Sequence, residues 1–378
     1  MREALFLASI LLVFHAYFGY PISLLLLGLL RRKAPRRAPC LPCVTIIITA
    51  HNEQQKIGRK LDNTLGLHYP REKLQIIVAS DGSTDATEEI VRGYRDAGVE
   101  LLAIPERGGK ENAQKEAVKL ARGDVFVFTD VATMIDPDGL RQIVSNFADP
   151  SVGCASSEDR LIGKDGRVCG EGLYVRYEMW VRDLESRVNS LVGLSGSFFA
   201  ARREVCQDFS GQMQSDFRTV LNCVRMGLRA VNDPGAIGYY EDIADRRREF
   251  DRKVRTVVRG LTVFFEHLEF LNVFRYGLFS YQYLCHKLLR WSVPFWLVVL
   301  FCSTSLLCLK GWPYAVALAA QILFYGLAFW GAKGDGRWSD NTLLRIPVYF
   351  VTVNSSVLVA WWRYIRGQRI VAWSPTRR

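Results

Sequence analysis

Five side chains in this sequence have the types and the spacing to do chemistry together: Glu53, Asp81, Lys110, Asp130 and Asp216. Asp130 follows the apolar run Val125-Phe126-Val127-Phe128, whose β-branched and aromatic residues predict a buried strand. A carboxylate at the C-terminal lip of such a strand stands where open α/β sheets bind ligands. Its oxygens suit a divalent cation that holds a diphosphate. Taken alone, Asp130 reads equally well as a strand-end residue capping a turn.

The elements around it change that balance. Residues 44–50, 74–79, 100–104 and 125–128 read as buried strands, and helical patterns follow each of the first three. A β-α-β-α-β-α-β order predicts a parallel sheet with right-handed crossovers. Glu53, Asp81, Lys110 and Asp130 each follow a predicted strand end, so one sheet edge gathers them. The acids suit ribose hydroxyls, a base edge and a metal. Gly108-Gly109-Lys110 lets backbone and ammonium approach a phosphate. Neither GxGxxG nor GxxxxGK[ST] occurs here, which disfavours dinucleotide enzymes and P-loop NTPases. Asp85 and Glu88 have capping-box spacing. Beyond residue 147 the pattern loosens: a strand over 152–158, a helical stripe over 170–190 and an apolar run with a glycine hinge over 194–200. A helix then opens near Gln214-Ser215-Asp216. Asp216 is either its N-cap or a general base facing the site.

The chain has 378 residues, a formal net charge of +11 and 49% hydrophobic residues, and its apolar residues crowd towards the two ends. Residues 5–30 are long and apolar enough to span a bilayer, without the pattern of a cleaved signal peptide. The basic run Arg31-Arg32-Lys33 with Arg36-Arg37 then predicts a cytoplasmic middle domain. Anionic lipid, rather than nucleic acid, is the partner that such juxtamembrane charge suits. The nine cysteines are scattered; Cys40 and Cys43 form one CxxC, open to a redox or zinc role or to ordinary reduced thiols. Residues 1–30 are thus expected as a membrane helix, 31–260 as the cytoplasmic domain and 261–291 as interfacial amphipathic helices. Residues 292–363 are expected as about three spans and 364–378 as a basic tail. Three spans after a cytoplasmic domain would leave the tail outside, whereas its arginines argue for inside; a re-entrant segment or one more crossing would reconcile the two.

The segments Thr49-Ala50-His51-Asn52-Glu53 and Ser80-Asp81-Gly82-Ser83-Thr84-Asp85 resemble those of family 2 glycosyltransferases. The resemblance is to the membrane-embedded members with a GT-A fold, in the branch of the cellulose, chitin, hyaluronan and poly-N-acetylglucosamine synthases. It implies an α/β, Rossmann-like and mostly parallel sheet domain with added transmembrane helices, in a multi-pass protein of the cytoplasmic (inner) membrane. It implies nucleotide-sugar binding, with UDP as the nucleotide, by Ala50, Asn52, Glu53, Asp81, Lys110, Asp130 and Arg252. It further implies Mg²⁺ or Mn²⁺ at Asp130, acceptor contacts from Gly196, Ser197 and Arg255, and Asp216 as general base in an inverting transfer. A glycan or lipid-linked acceptor, membrane lipids and accessory export or assembly subunits are the partners it allows.

Three departures stand out. The usual DxD is Asp130-Val131-Ala132, Ser215 replaces a common Glu, and Glu249-Phe250-Asp251-Arg252-Lys253 stands where Gln-x-x-Arg-Trp is expected. The ending Trp373-Ser374-Pro375-Thr376-Arg377 resembles the branch's terminal Trp-x-x-Thr-Arg. The expected function is extension of a polysaccharide or other membrane-associated glycan. The alternatives are single transfer to a polyprenyl-linked or other lipid acceptor and, in another class, a non-catalytic nucleotide- or glycan-binding subunit.

Overall fold

The computed structural model describes residues 1–31, 33–162, 173–241, 246–333 and 342–369. The terminal motif at 373–377 lies outside them. The chain divides into two compact units. One holds residues 24–244 and 266–282, the other 1–23, 245–265 and 283–369.

The first of these is built on one eight-stranded sheet: β1 (Val44–Ala50), β2 (Leu74–Asp81), β3 (Val99–Ile104), β4 (Val125–Asp130), β5 (Met134–Ile135), β6 (Val152–Ile162), β7 (Phe198–Arg202) and β8 (Arg229–Glu241). The strand order is β3-β2-β1-β4-β7-β6-β8-β5. The half made of β3, β2, β1 and β4 is parallel, as the alternation of strands and helices predicts. Every residue of β1 is buried, which explains why apolar residues do not alternate with exposed polar ones along it: helices cover both faces of a parallel sheet. Ile46, Ile48, Ile76, Val78, Val125 and Val127 form one core layer. On the far side of β4 the pairing turns antiparallel, with Phe128 opposite Phe199 and their rings stacked at 4.8 Å. The sheet is therefore mixed. Parallel pairing returns between β6 and β8, with register shifts between Val152 and Cys154 and between Ser156 and Glu158.

The α-helices between residues 44 and 241 are α1 (Ile57–Leu65), α2 (Thr87–Arg92), α3 (Lys110–Leu120), α4 (Gly139–Ser145), α5 (Leu173–Val188) and α6 (Ser215–Arg225) among the described residues. The expected capping box does not form. The N-cap of α2 is Ala86, and no side chain caps it. Asp85 instead accepts the Thr87 N–H at 3.0 Å and the Gln54 N–H at 3.1 Å. Glu88 accepts from Ser80 Oγ at 2.9 Å and from Arg92 at 3.0 Å. Asp85 joins two loops, and Glu88 turns along the helix rather than back to its start. The N-cap reading of Asp216 also fails: Gln214 is the cap and Asp216 lies in the first turn. Arg37, expected among lipid-facing charges, pairs at 3.2 Å with the fully buried Asp233 and donates to Asn146 at 3.0 Å. A buried carboxylate needs such a partner.

In the other unit, α7 (Arg246–Glu266) carries a basic first half and, from Val254, a buried apolar stripe: Val254, Val258, Leu261 and Phe264. Four helices among the described residues are long and apolar enough to cross a membrane: Arg2–Leu30, Leu278–Leu307, Trp312–Lys333 and Leu344–Ile365. The second begins at Leu278 rather than near residue 292. His286, Lys287 and Arg290 depress local hydropathy, yet the backbone continues through a π-helical turn at Leu284–Leu289. Aromatic contacts knit this unit: Phe264 stacks on Tyr283 at 4.5 Å, and the Trp361 indole N–H donates to the Trp291 carbonyl at 2.9 Å.

Candidate active site

Register brings the chemistry to one edge. Ala50 is paired with Ser80, Thr49 with Asp130, and Asp81 with Ile104, so the C-terminal ends of β1, β2 and β4 lie side by side. Asp81 and Asp130 are the last residues of their strands, and Lys110 is the first residue of α3.

The loops after β1 and β2 are laced together. Asn52, at φ +54°, accepts the Thr84 N–H at 2.8 Å. The Glu53 N–H donates to Thr87 Oγ1 at 2.8 Å, and the Asp81 carbonyl lies 2.6 Å from His51 Nδ1. Asn52, expected as a donor ligand, thus has its amide oxygen committed to this lacing. Asp81 is 2% exposed, and its two oxygens accept the Gly108 and Gly109 N–H groups, each at 2.8 Å. Its carboxylate holds the glycine loop that precedes Lys110. That loop needs glycine at Gly109, whose φ is +94°. Gly82, at +60°, lets the Arg107 backbone approach to 3.0 Å of where a Cβ would stand.

The Lys110 ammonium is the hub. It pairs with the Asp130 carboxylate and donates to the Gly196 carbonyl at 2.8 Å. The Asp130 N–H donates to the Ser197 carbonyl at 3.1 Å. A Cβ on Gly196 would lie 2.9 Å from Asp216 Oδ2, so only glycine lets the loop pass this close to that carboxylate. The Leu194 N–H donates to the Asp216 carbonyl at 3.1 Å, and Gln214 Nε2 donates to Asp216 Oδ2 at 3.2 Å. Asp130, Lys110, Gly196 and Asp216 therefore form one connected series, although they come from β4, α3, a loop and α6.

Two further groups tune the edge. Burial pushes the Glu53 carboxyl above its ordinary range; Lys56 opposes the rise, while Asp130 and Asp85 add to it. Lys60 on α1 is completely buried, and its ammonium donates to Thr129 Oγ1 at 3.0 Å and to the Thr133 carbonyl. It braces the turn after Asp130 from beneath. Desolvation brings its pKa down to about 7, against the field of Asp130. A lone lysine on an amphipathic helix gives no sign in the sequence of this role.

Asp130 meets the chemistry of a metal ligand as a single carboxylate, with its side chain 25% exposed beside Lys110. No group of three or more His, Cys, Asp or Glu side chains gathers among the described residues. One carboxylate, already paired with Lys110, is what this edge could offer a cation. Arg252 and Arg255 lie on α7 in the other unit, and Glu249 holds Arg252 through two contacts of 2.8 Å.

Residues 45–209 match the family model for Glycosyl transferase family 2. The chain is 27% identical over 173 residues to the poly-beta-1,6-N-acetyl-D-glucosamine synthase of Staphylococcus aureus (strain COL), covering 44% of this chain and 41% of that protein. The synthase of the same name from Staphylococcus epidermidis is 25% identical over 171 residues, covering 44% of this chain and 40% of that protein. The match thus spans about two fifths of the length of these curated relatives. The chain shares the fold of the mannosyltransferase PcManGT from Pyrobaculum calidifontis, which was solved in complex with GDP-Man and Mn²⁺. The TM-score is 0.73 at 22% identity, covering 97% of this chain and 100% of that one.

Proposed function

We propose, for a chain that carries a family 2 glycosyltransferase domain on a GT-A fold, that it is a membrane-bound inverting hexosyltransferase. It moves a sugar from a nucleotide-diphosphate donor to a growing polysaccharide or another membrane-associated glycan. The observation that carries this reading is the connected series Asp130–Lys110–Gly196–Asp216 at the C-terminal edge of the sheet. It joins groups suited to a diphosphate to a carboxylate suited to an acceptor hydroxyl.

In this reading Asp81 and the Gly108–Gly109 loop shape the nucleoside end of the cleft, with Ala50 and Glu53 beside them. Lys110 offsets charge on the diphosphate. Asp216 takes the proton from the acceptor hydroxyl, which attacks the anomeric carbon in line with the departing diphosphate. One displacement inverts the anomeric configuration. A divalent cation held by Asp130 and the diphosphate would add neutralisation of the leaving group. UDP is the proposed nucleotide; GDP-mannose, bound by the Pyrobaculum enzyme, is the rival to include in a donor panel. The sheet unit faces the cytoplasm, where nucleotide sugars are available.

A second reading, single transfer to a polyprenyl-linked or other lipid acceptor, draws on α7. There Glu249 ties Arg252 and, at 3.0 Å, Lys253, in the stretch where the polymerising branch has Gln-x-x-Arg-Trp. Product partitioning separates the two. Solvent-insoluble label released by a glycan hydrolase supports the polymer; label extracted into organic solvent supports the lipid acceptor and overturns the first reading.

A further inference from the structure

Asp159 on β6 falls outside the groups assigned so far, yet it organises the loop that joins them. Its two carboxylate oxygens each accept one hydroxyl: Ser195 Oγ at 2.6 Å on Oδ2 and Ser197 Oγ at 2.5 Å on Oδ1. The two hydroxyls lie 2.8 Å from each other. Hydroxyl-to-carboxylate bonds of this length belong to the strong, charge-assisted class. They close a clamp around Gly196, the residue with neither a side chain nor a preferred backbone basin of its own. The Ser195 N–H adds a fourth tie, donating to Ser156 Oγ at 2.8 Å.

The clamped loop faces both halves of the site. Through its carbonyls it meets Lys110 and the Asp130 N–H, and through the bare Cα of Gly196 it meets the Asp216 carboxylate. The register shift between Ser156 and Glu158 sits just before Asp159. Such an irregularity re-aims the side chains that follow it. We propose that Asp159 is a positioning residue, which fixes the separation of the diphosphate-facing groups from the base by clamping Ser195 and Ser197. This rests on the glycosyl-transfer reading of the site.

The test uses the full-length chain in detergent with lipid, and UDP-N-acetylglucosamine and GDP-mannose as probes. Asp159→Ala is expected to lower kcat by about ten- to a hundredfold, the scale of a misplacement near 1 Å, while donor affinity changes less than about threefold. The Ser195→Ala, Ser197→Ala double variant should reproduce the loss, which keeps the test decisive if Asp159→Ala folds poorly. Adding Ser197→Ala to Asp159→Ala should cost nothing further, because residues acting as one unit are not additive. An unchanged kcat, a loss confined to donor affinity, or fully additive effects would overturn the clamp. Asp130→Asn and Asp216→Asn run in parallel. Wild-type rates in both would overturn the site reading itself, whereas their loss beside an unaffected Asp159→Ala would sink this inference alone.

Discussion

Asp216 sits in the first turn of α6, the end of a helix that carries the positive pole of its dipole. Asp216→Asn keeps the shape and removes the basicity. It is expected to lower transfer by about 10²–10⁴-fold, the usual worth of a general base, with nucleotide affinity unchanged by calorimetry. Lys60 gives a prediction of a different kind. Its pKa falls from 10.5 to about 7 on folding. Below pH 7 both states hold the proton; between pH 7 and 10.5 the unfolded chain holds it and the folded chain releases it. Stability relative to a Lys60→Met variant should therefore be flat below pH 7 and rise above it, by at most about 1.4 kcal/mol per pH unit. Denaturation at pH 6 and pH 9 measures it; a gap that does not widen at the higher pH would mean that Lys60 stays charged. The convergence of Asp81, Lys110 and Asp130 at one sheet edge was legible from residue type and spacing. Lys60 and Asp159 were not, because their roles depend on what the fold lays across them.

Among the elements, the parallel half of the sheet was the most legible. Its strands are rich in β-branched and other apolar residues with turn residues at each end, and the helices between them set the topology. The half built from β6, β7 and β8 was read only in outline. Its strands mix polar residues with register shifts, and a period-2 pattern does not survive a bulge. Asp159 in Ser156-Ser157-Glu158-Asp159-Arg160 reads as one more solvated residue until β7 and the Ser195–Ser197 loop are laid beside it. Glycines mark where elements come closest. Gly196→Ala would set a methyl group 2.9 Å from Asp216 Oδ2. It should lower kcat at least tenfold, because the loop is held by Asp159 and the methyl group displaces the Asp216 carboxylate. An alanine variant with wild-type kcat would show that the loop does not set the position of the base. Gly82→Ala should act on stability instead, by roughly 1 kcal/mol or more, because its backbone is left-handed and Arg107 crowds it; an unchanged denaturation midpoint would contradict this.

At the scale of the whole molecule, the four long apolar helices lead to a simple expectation: the chain stays with the membrane through an alkaline carbonate wash and leaves it only with detergent. Release by carbonate would contradict membrane spanning. The helix that carries the second of these stretches starts at Leu278, ahead of the span expected from residue 292; charged residues on one face lower local hydropathy without ending a helix. The central claim is that the connected site at the sheet edge transfers sugar from a nucleotide donor, with Asp216 as base. Inverted membrane vesicles containing the full chain test it most directly. They are incubated with labelled UDP- and GDP-sugars, with and without chelator, beside vesicles carrying Asp216→Asn. The account predicts incorporation from one donor into an insoluble or lipid-bound product, reduced by the chelator, restored by Mn²⁺ or Mg²⁺, and lost in the Asp216→Asn vesicles. Incorporation that persists undiminished in Asp216→Asn, or none from any donor in vesicles that retain the native acceptor, would contradict it.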